Sequence, residues 1–307
     1  MIINDRMQFH GLFNQGRNME WPLKAAQKAN KHFAQVCPKF DPLQEWTVMA
    51  AILDDNLDVV VMCTGIKCMP ECKLVEAGCR LPLYYDTIRD MHAEVLCRRA
   101  LIRYLLLTPE SNTKFHLYVS KVPCGDCSIP VDDTDDISCV KRRRLTLNDD
   151  NTKTVAKGTE DWSLKGVVRT KPGRGDAPPT RSVSCSDKLA LWNAIGLQGH
   201  YTPFLVKFGS IIIDDPRADL AQCRESLLDR VGLTENSGTT VYCVGTKLFK
   251  GGDESKRRSP QSIVWHKGMA KAEVVVDGRK LGSAPPRDGR LHGKSVSCVA
   301  TSSLERL

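Results

Sequence analysis

From Trp46 onward the chain switches repeatedly between the two-residue period of strands and the 3.6-residue period of helices, which restricts it to a layered α/β architecture. Val59–Met62 is a β-branched apolar run bounded by Asp58 and Gly65, the pattern of a buried strand, and Trp46–Leu53 is a second apolar run before it. In Asp90–Leu107, Val95, Leu96, Arg99, Ile102, Arg103 and Leu106 recur at helical spacing before a Thr108-Pro109 stop. Phe115–Ser120 alternates Phe115, Leu117 and Val119 with polar partners, which predicts a half-buried strand. Ser184–Gly196 predicts a glycine-terminated helix, and Phe204–Phe208 and Ile211–Ile213 predict strands. Asp215-Pro216 reads as an N-cap and first-turn proline for a helix with the stripe Leu220, Cys223, Leu227 and Val231, closed by Gly232. Thr240–Val244, Ser262–His266 and Glu273–Val276 predict further strands, the last entering an Asp277-Gly278 turn. Residues 1–44 show little periodicity and read as a lead-in to one domain over 45–307. From Ile129 to about Lys165 an acidic run is followed by a basic one and a polar stretch, which reads as an exposed, disordered insertion.

Composition narrows the class of partner. The 307 residues carry 44 Lys and Arg against 36 Asp and Glu, a formal charge of +8. The excess clusters at Lys141–Arg144, Arg169–Arg174 and Lys256–Arg258, the footprint expected of a chain that meets a polyanion. The first residues lack a secretory layout and no apolar run is long enough to span a bilayer, so an intracellular protein of the nucleus or cytoplasm with no membrane partner is expected. No protein partner is inferred. Thirteen cysteines, an odd number, then read as thiols or metal ligands rather than a disulfide framework. The spacing of Cys63, Cys68, Cys72 and Cys79 fits no standard metal site, and these read as free thiols.

One pair of segments carries chemistry. His92-Ala93-Glu94 precedes Pro123-Cys124-Gly125-Asp126-Cys127 in the H-x-E…P-C-x-x-C arrangement of zinc-dependent nucleobase deaminases. Replacing a ring amino group by oxygen needs hydroxide at neutral pH, which zinc provides by acidifying a bound water. Three protein ligands leave a tetrahedral position open for it. Glu94, two residues past the histidine, is placed to move protons rather than to bind metal. Asp90 sits where it can cap the helix. Two cysteines compete for the third ligand position: Cys127, at C-x-x-C spacing, and Cys185.

A second stretch, KPGRGDAPPTRSVSCSDKLALWNAIGLQG over Lys171–Gly199, resembles the signature of RNA-editing adenosine deaminases and their tRNA-specific relatives. Val60–Pro70, Asp90–Leu105 and Val119–Ser128 agree, so the resemblance runs from about Trp46 to the end of the chain. It implies a cytidine-deaminase-like three-layer α/β/α sandwich with a mixed sheet. It also implies hydrolysis of adenosine to inosine in tRNA, next to the anticodon of alanine tRNA. By the same resemblance His92, Cys124 and Cys185 are zinc ligands and Glu94 is the proton shuttle. Arg98, Arg99 and Lys188 would hold a buried inositol hexakisphosphate, to which Asp90 links the zinc side through Lys188. Lys67, Lys171 and Arg174 are expected to face RNA, the last two on a glycine loop that can approach phosphates.

The sequence also departs from the family. Cys127 stands where a small residue is usual, Leu191 replaces an arginine directed at the polyphosphate, and relatives continue beyond the position of Leu307 with further polyphosphate ligands, so a truncated C-terminus is expected. Two rival readings are a cytidine deaminase, supported by Cys127, and a catalytically inactive RNA-binding paralogue, opposed by the intact Glu94.

Overall fold

The structure, a computed structural model, describes residues 18–37, 40–72, 86–108, 114–129, 155–157, 165–171, 177–202, 205–282 and 293–307. Besides a short parallel pair at Glu45–Trp46 and Arg257–Arg258, its strands are β1 (Met49–Leu53), β2 (Val59–Thr64), β3 (Ile66–Cys68), β4 (Asp90–His92), β5 (Phe115–Val119), β6 (Val155–Lys157), β7 (Val168–Thr170), β8 (Phe208–Ile213), β9 (Thr240–Cys243), β10 (Gln261–His266), β11 (Glu273–Val276) and β12 (Arg279–Lys280). The helices that matter here are α1 (Glu20–Val36), α2 (Ala93–Leu107), α3 (Cys185–Ile195) and α4 (Leu220–Leu227).

Eight strands form one mixed sheet in the order β9-β8-β5-β1-β2-β10-β11-β12. β9, β8 and β5 are parallel, and every other neighbouring pair is antiparallel. Because β2 and β5 are both antiparallel to β1, they run the same way. Their C-terminal ends therefore share one edge of the sheet with those of β8 and β9.

Helices cover both faces, giving the three-layer sandwich. On one face Leu96, Cys97, Ala100 and Leu101 of α2 pack with Leu189 and Trp192 of α3 and Cys223 and Leu227 of α4 over Ile52, Cys63, Leu117 and Ile211. On the other, Ala25, Ala26 and Ala29 of α1 meet Met49, Ala51, Met62, Tyr118 and Ile212. Thus the segment read as a patternless lead-in contains a 17-residue helix. Its buried positions are Pro22, Ala25, Ala26 and Ala29, small residues that let the helix lie close to the sheet. Trp21, Leu23, Phe33 and Val36 pack around them, so the apolar stripe is present at helical spacing but is carried mostly by weakly hydrophobic alanines.

β5 is buried along its whole length rather than half-buried. Its polar residues are satisfied inside: His116 bonds Ser210 and Asp55, and the Tyr118 hydroxyl, receiving from Asn30, donates to Asp214. The helix expected from Asp90 begins at Ala93, because Asp90–His92 extends to pair with Ile66–Cys68. Asp90 is therefore not the cap; its carboxylate accepts the His92 backbone N–H at 3.1 Å. Phe208–Ile213 is one strand where two were expected. α4 is capped by Asp219, which accepts from Gln222 N–H, rather than by Asp215. Asp215 instead binds Arg217 and accepts the Val122 N–H. Most of the presumed insertion lies outside the described residues, but within it Val155–Lys157 pairs in parallel with Val168–Thr170.

Candidate active site

His92, Cys124 and Cys185 come together at the sheet edge defined by the C-terminal ends of β2 and β5. His92 is the last residue before α2, with an extended backbone (φ −66°, ψ 143°). Ala93 N–H bonds the carbonyl of Gly65, the residue following β2, and so fixes the start of the helix there. Cys124 lies in the loop leaving β5. Cys185 is the first residue of α3, whose cap Ser184 accepts from Asp187 N–H. The three ligand atoms lie within 4.8 Å of one another. His92 Nδ1 is 3.6 Å from Cys185 Sγ and 3.9 Å from Cys124 Sγ.

Backbone contacts dock the two cysteine segments. Cys185 N–H donates to Cys124 Sγ at 3.3 Å, and Ser186 N–H to the Cys124 carbonyl at 3.0 Å. The approach is close enough that Gly125, at φ 103°, admits no side chain: a Cβ there would lie 2.2 Å from Ser184 Oγ. Cys127 is buried one turn farther on, beside Cys223, and does not belong to the group.

Electrostatics favour a thiolate here. The hydrogen bond from Cys185, with Lys171 and His92 adding positive charge, holds the Cys124 thiol well below its ordinary range despite burial. Burial and the neighbouring Cys124 push Cys185 up. Glu94, in the first turn of α2, is 4% exposed, and its Oε2 has no hydrogen-bond partner among the described residues. Its charge acts on both Cys185 and Lys171.

Lys171 is not an RNA-facing residue. It is 3% exposed, and its ammonium lies 2.8 Å from Asp90 Oδ2 and 3.2 Å from Cys185 Sγ. The following Pro-Gly-Arg-Gly run suggests an open loop. Lys171 itself, however, continues the line of β7 and bonds across to Thr180 and Ser182 through its backbone. Burial opposes its charge, but Asp90 and Cys185 outweigh that and raise its pKa well above the usual value. Asp90 likewise stays well below the usual carboxylate range despite burial, held by Lys171 and Lys188. Lys188 donates to Asp90 and to Ser182 Oγ.

The two arginines stand apart from that relay. Arg98 stacks its guanidinium 5.1 Å from the Trp192 ring centroid, while its buried Nε finds no partner among the described residues. Burial and the adjacent Arg99 lower the Arg98 pKa to about 10. Arg99 donates to the Val299 carbonyl at 2.6 Å and to Thr301 Oγ1 at 3.0 Å. Leu191 is half exposed on α3. Lys67 is half-buried in β3, opposite Met91. Arg174, Lys141–Arg144 and Cys79 lie outside the described residues.

Sequence reasoning missed four buried charges beside this site: Asp126, Arg169, Asp187 and Arg230. A clue was available in Asp126 and Asp187, each two residues past a cysteine of the group. No helix among the described residues is long and apolar enough to cross a membrane.

Known proteins resemble this chain over much of its length. The adenosine-deaminase (editase) domain family matches residues 106–300, a stretch that includes Cys124 and Cys185 but starts after His92 and Glu94. A tRNA-specific adenosine deaminase 1 from Drosophila melanogaster is 32% identical across 82% of this chain and 75% of its own length. Proteins of the same name from Schizosaccharomyces pombe and Saccharomyces cerevisiae are 33% and 29% identical, each across 48% of this chain. The chain spans only 43% and 45% of those two yeast proteins.

Proposed function

This chain belongs to the adenosine-deaminase (editase) domain family, and on that premise we propose that it converts adenosine to inosine in tRNA by zinc-dependent hydrolysis. The observation that carries the reading is the His92–Cys124–Cys185 group, half-buried at His92 and Cys124 and fully buried at Cys185, beside a Glu94 carboxylate oxygen with no hydrogen-bond partner among the described residues. The donor set fits the metal: one imidazole and two sulfurs, one of them biased toward thiolate, suit zinc and leave a coordination position free. His92, Cys124 and Cys185 would hold the ion. Bound there, a zinc ion would supply hydroxide at neutral pH by acidifying a water.

The chain's own residues do the rest. Glu94 takes one proton from the attacking water and passes it to the ring nitrogen. It then carries the proton of the newly added hydroxyl to the amino group, which leaves as ammonia as the C–N bond breaks and the carbonyl forms. Lys171, fixed by Asp90, places positive charge against the Cys185 sulfur. Adenosine must leave its stack to reach this depth, and the loss of stacking favours a nucleotide in a loop, such as an anticodon loop. The names of the relatives support tRNA as the substrate, and the family resemblance points to the position next to the anticodon of alanine tRNA. Lys67 and Arg174 are proposed for the RNA side. Inositol hexakisphosphate is proposed for the space beside Arg98 and Arg99, two adjacent half-buried cations with no ion pair to a carboxylate among the described residues, and Lys188 would reach it from the Asp90 side.

The test is inosine analysis of total tRNA incubated with the purified chain. Inosine should form in tRNA, binding should weaken steeply with salt as phosphate contacts are screened, and free adenosine and free cytidine should be left intact. Turnover of either nucleoside would overturn the polynucleotide assignment.

A further inference from the structure

Behind the two cysteines lies a linked set of four charges, among the described residues, that the reaction itself does not use. Arg169 Nε donates to Asp126 Oδ1 at 2.7 Å, and Arg230 Nη2 donates to Asp187 Oδ1 at 2.7 Å. Arg230 Nη1 lies 3.5 Å from Asp126 Oδ2, an ion-pair distance that joins the two pairs. All four side chains are at most 5% exposed. Two guanidiniums and two carboxylates sum to zero, so the set tolerates burial only while complete.

Its members are spaced regularly relative to the site. Asp126 follows Cys124 by two residues, Asp187 follows Cys185 by two, and Arg169 precedes Lys171 by two. Each carboxylate also holds backbone. Asp126 Oδ2 accepts Gly166 N–H at 2.6 Å, and Asp187 Oδ2 accepts Arg169 N–H at 2.9 Å. Three separate segments, carrying Cys124, Lys171 and Cys185, are thereby tied to one another from behind. Arg230, in the turn after α4, bridges the two carboxylates.

We propose that Asp126, Arg169, Asp187 and Arg230 are positioning residues that set the separation of the Cys124 and Cys185 sulfurs and place Lys171 against them. The inference rests on the metal reading above and extends it to residues that touch no ligand atom. A planar guanidinium can span two carboxylates, whereas an ammonium is a single point, so Arg230→Lys keeps the charge but loses the span.

The experiment measures zinc affinity by chelator competition and records the cobalt(II)-substituted absorption spectrum. These are compared for the unaltered chain, for Arg230→Lys, and for the charge-neutral pair Arg230→Gln with Asp126→Asn. Circular dichroism establishes that each is folded. The expected result is a folded variant whose zinc affinity falls on the order of 10- to 100-fold, with displaced thiolate-to-cobalt and d–d bands. An unaltered chain that binds no zinc would overturn the metal reading. An unaltered chain that binds zinc, alongside folded variants with the same affinity and spectrum, would overturn this inference alone. If Arg230→Lys does not fold, the neutral pair decides. If neither folds, the four charges serve stability and the inference is wrong.

Discussion

Lys171 Nζ lies 3.2 Å from Cys185 Sγ in the interior of the protein. An ammonium at that distance favours the thiolate of a metal ligand, and the same ammonium neutralises Asp90. Lys171→Met should therefore leave the buried Asp90 with Lys188 as its one ion-pair partner among the described residues. Loss of one member of a buried ion pair typically costs about 3–5 kcal/mol. Urea unfolding should show a destabilisation of that order, and metal analysis should show reduced zinc. A surface RNA contact would instead alter tRNA affinity alone.

Glu94→Gln should separate metal binding from chemistry. The side chain keeps its size but can no longer accept a proton, so zinc content should remain near that of the unaltered chain. Inosine formation should fall by about 10²- to 10⁴-fold, the range for a positioned proton-transfer group. Zinc lost together with activity would mean that Glu94 is a ligand.

The cysteines make opposite predictions. Cys185→Ala should abolish stoichiometric zinc. Cys127→Ala should retain it and lose only packing, since Cys127 is buried beside Cys223 and outside the ligand group. Metal analysis of the two purified variants distinguishes them, and the reverse outcome would return the site to a C-x-x-C type.

Much of this site was legible because its chemistry is local in sequence. His92 and Glu94 are adjacent in one turn, and Cys124 is embedded in a turn whose Gly125 must adopt a positive φ. Lys171 was misread because an extended residue next to a glycine-rich run looks exposed; its burial depends on Asp90, 81 residues earlier. α1 was passed over because the centre of its buried stripe is alanine, although Trp21, Phe33 and Val36 extend that stripe at helical spacing. The start of α2 was displaced by a strand pairing with Ile66–Cys68, a tertiary choice that helical periodicity does not encode.

Away from the metal, Asp215 gives the clearest pH dependence. Burial raises its pKa, but hydrogen bonds and charge from Arg217 and the Val122 N–H bring it below the ordinary 3.8. A depressed folded-state value contributes stability above the unfolded value, and the contribution disappears as pH falls through the folded one. Asp215→Asn should therefore be less stable than the unaltered chain above pH ~5, with the gap closing below pH ~4. Denaturant titrations across that range test it, and a gap independent of pH would refute it.

Gly125→Ala should affect both cysteine segments. The added methyl would lie 2.2 Å from Ser184 Oγ and the φ of 103° would be strained, so the loop and the start of α3 must separate. Zinc affinity should fall while the far face, including α1, stays packed. Proton-exchange protection mapped along the chain would show whether the loss is confined to the loop and α3.

The three donors of the candidate site are far apart along the chain, Cys124 lying 32 positions after His92 and Cys185 61 positions after Cys124. An ion gripping all three acts on the polymer as a removable cross-link that closes two loops at once. Loop-closure entropy grows only logarithmically, by about 0.6 kcal/mol for each doubling of length. A longer or shorter stretch between Cys124 and Cys185 would thus change that cost only slightly, and the three-point knot that a bound ion would tie would be left as it is.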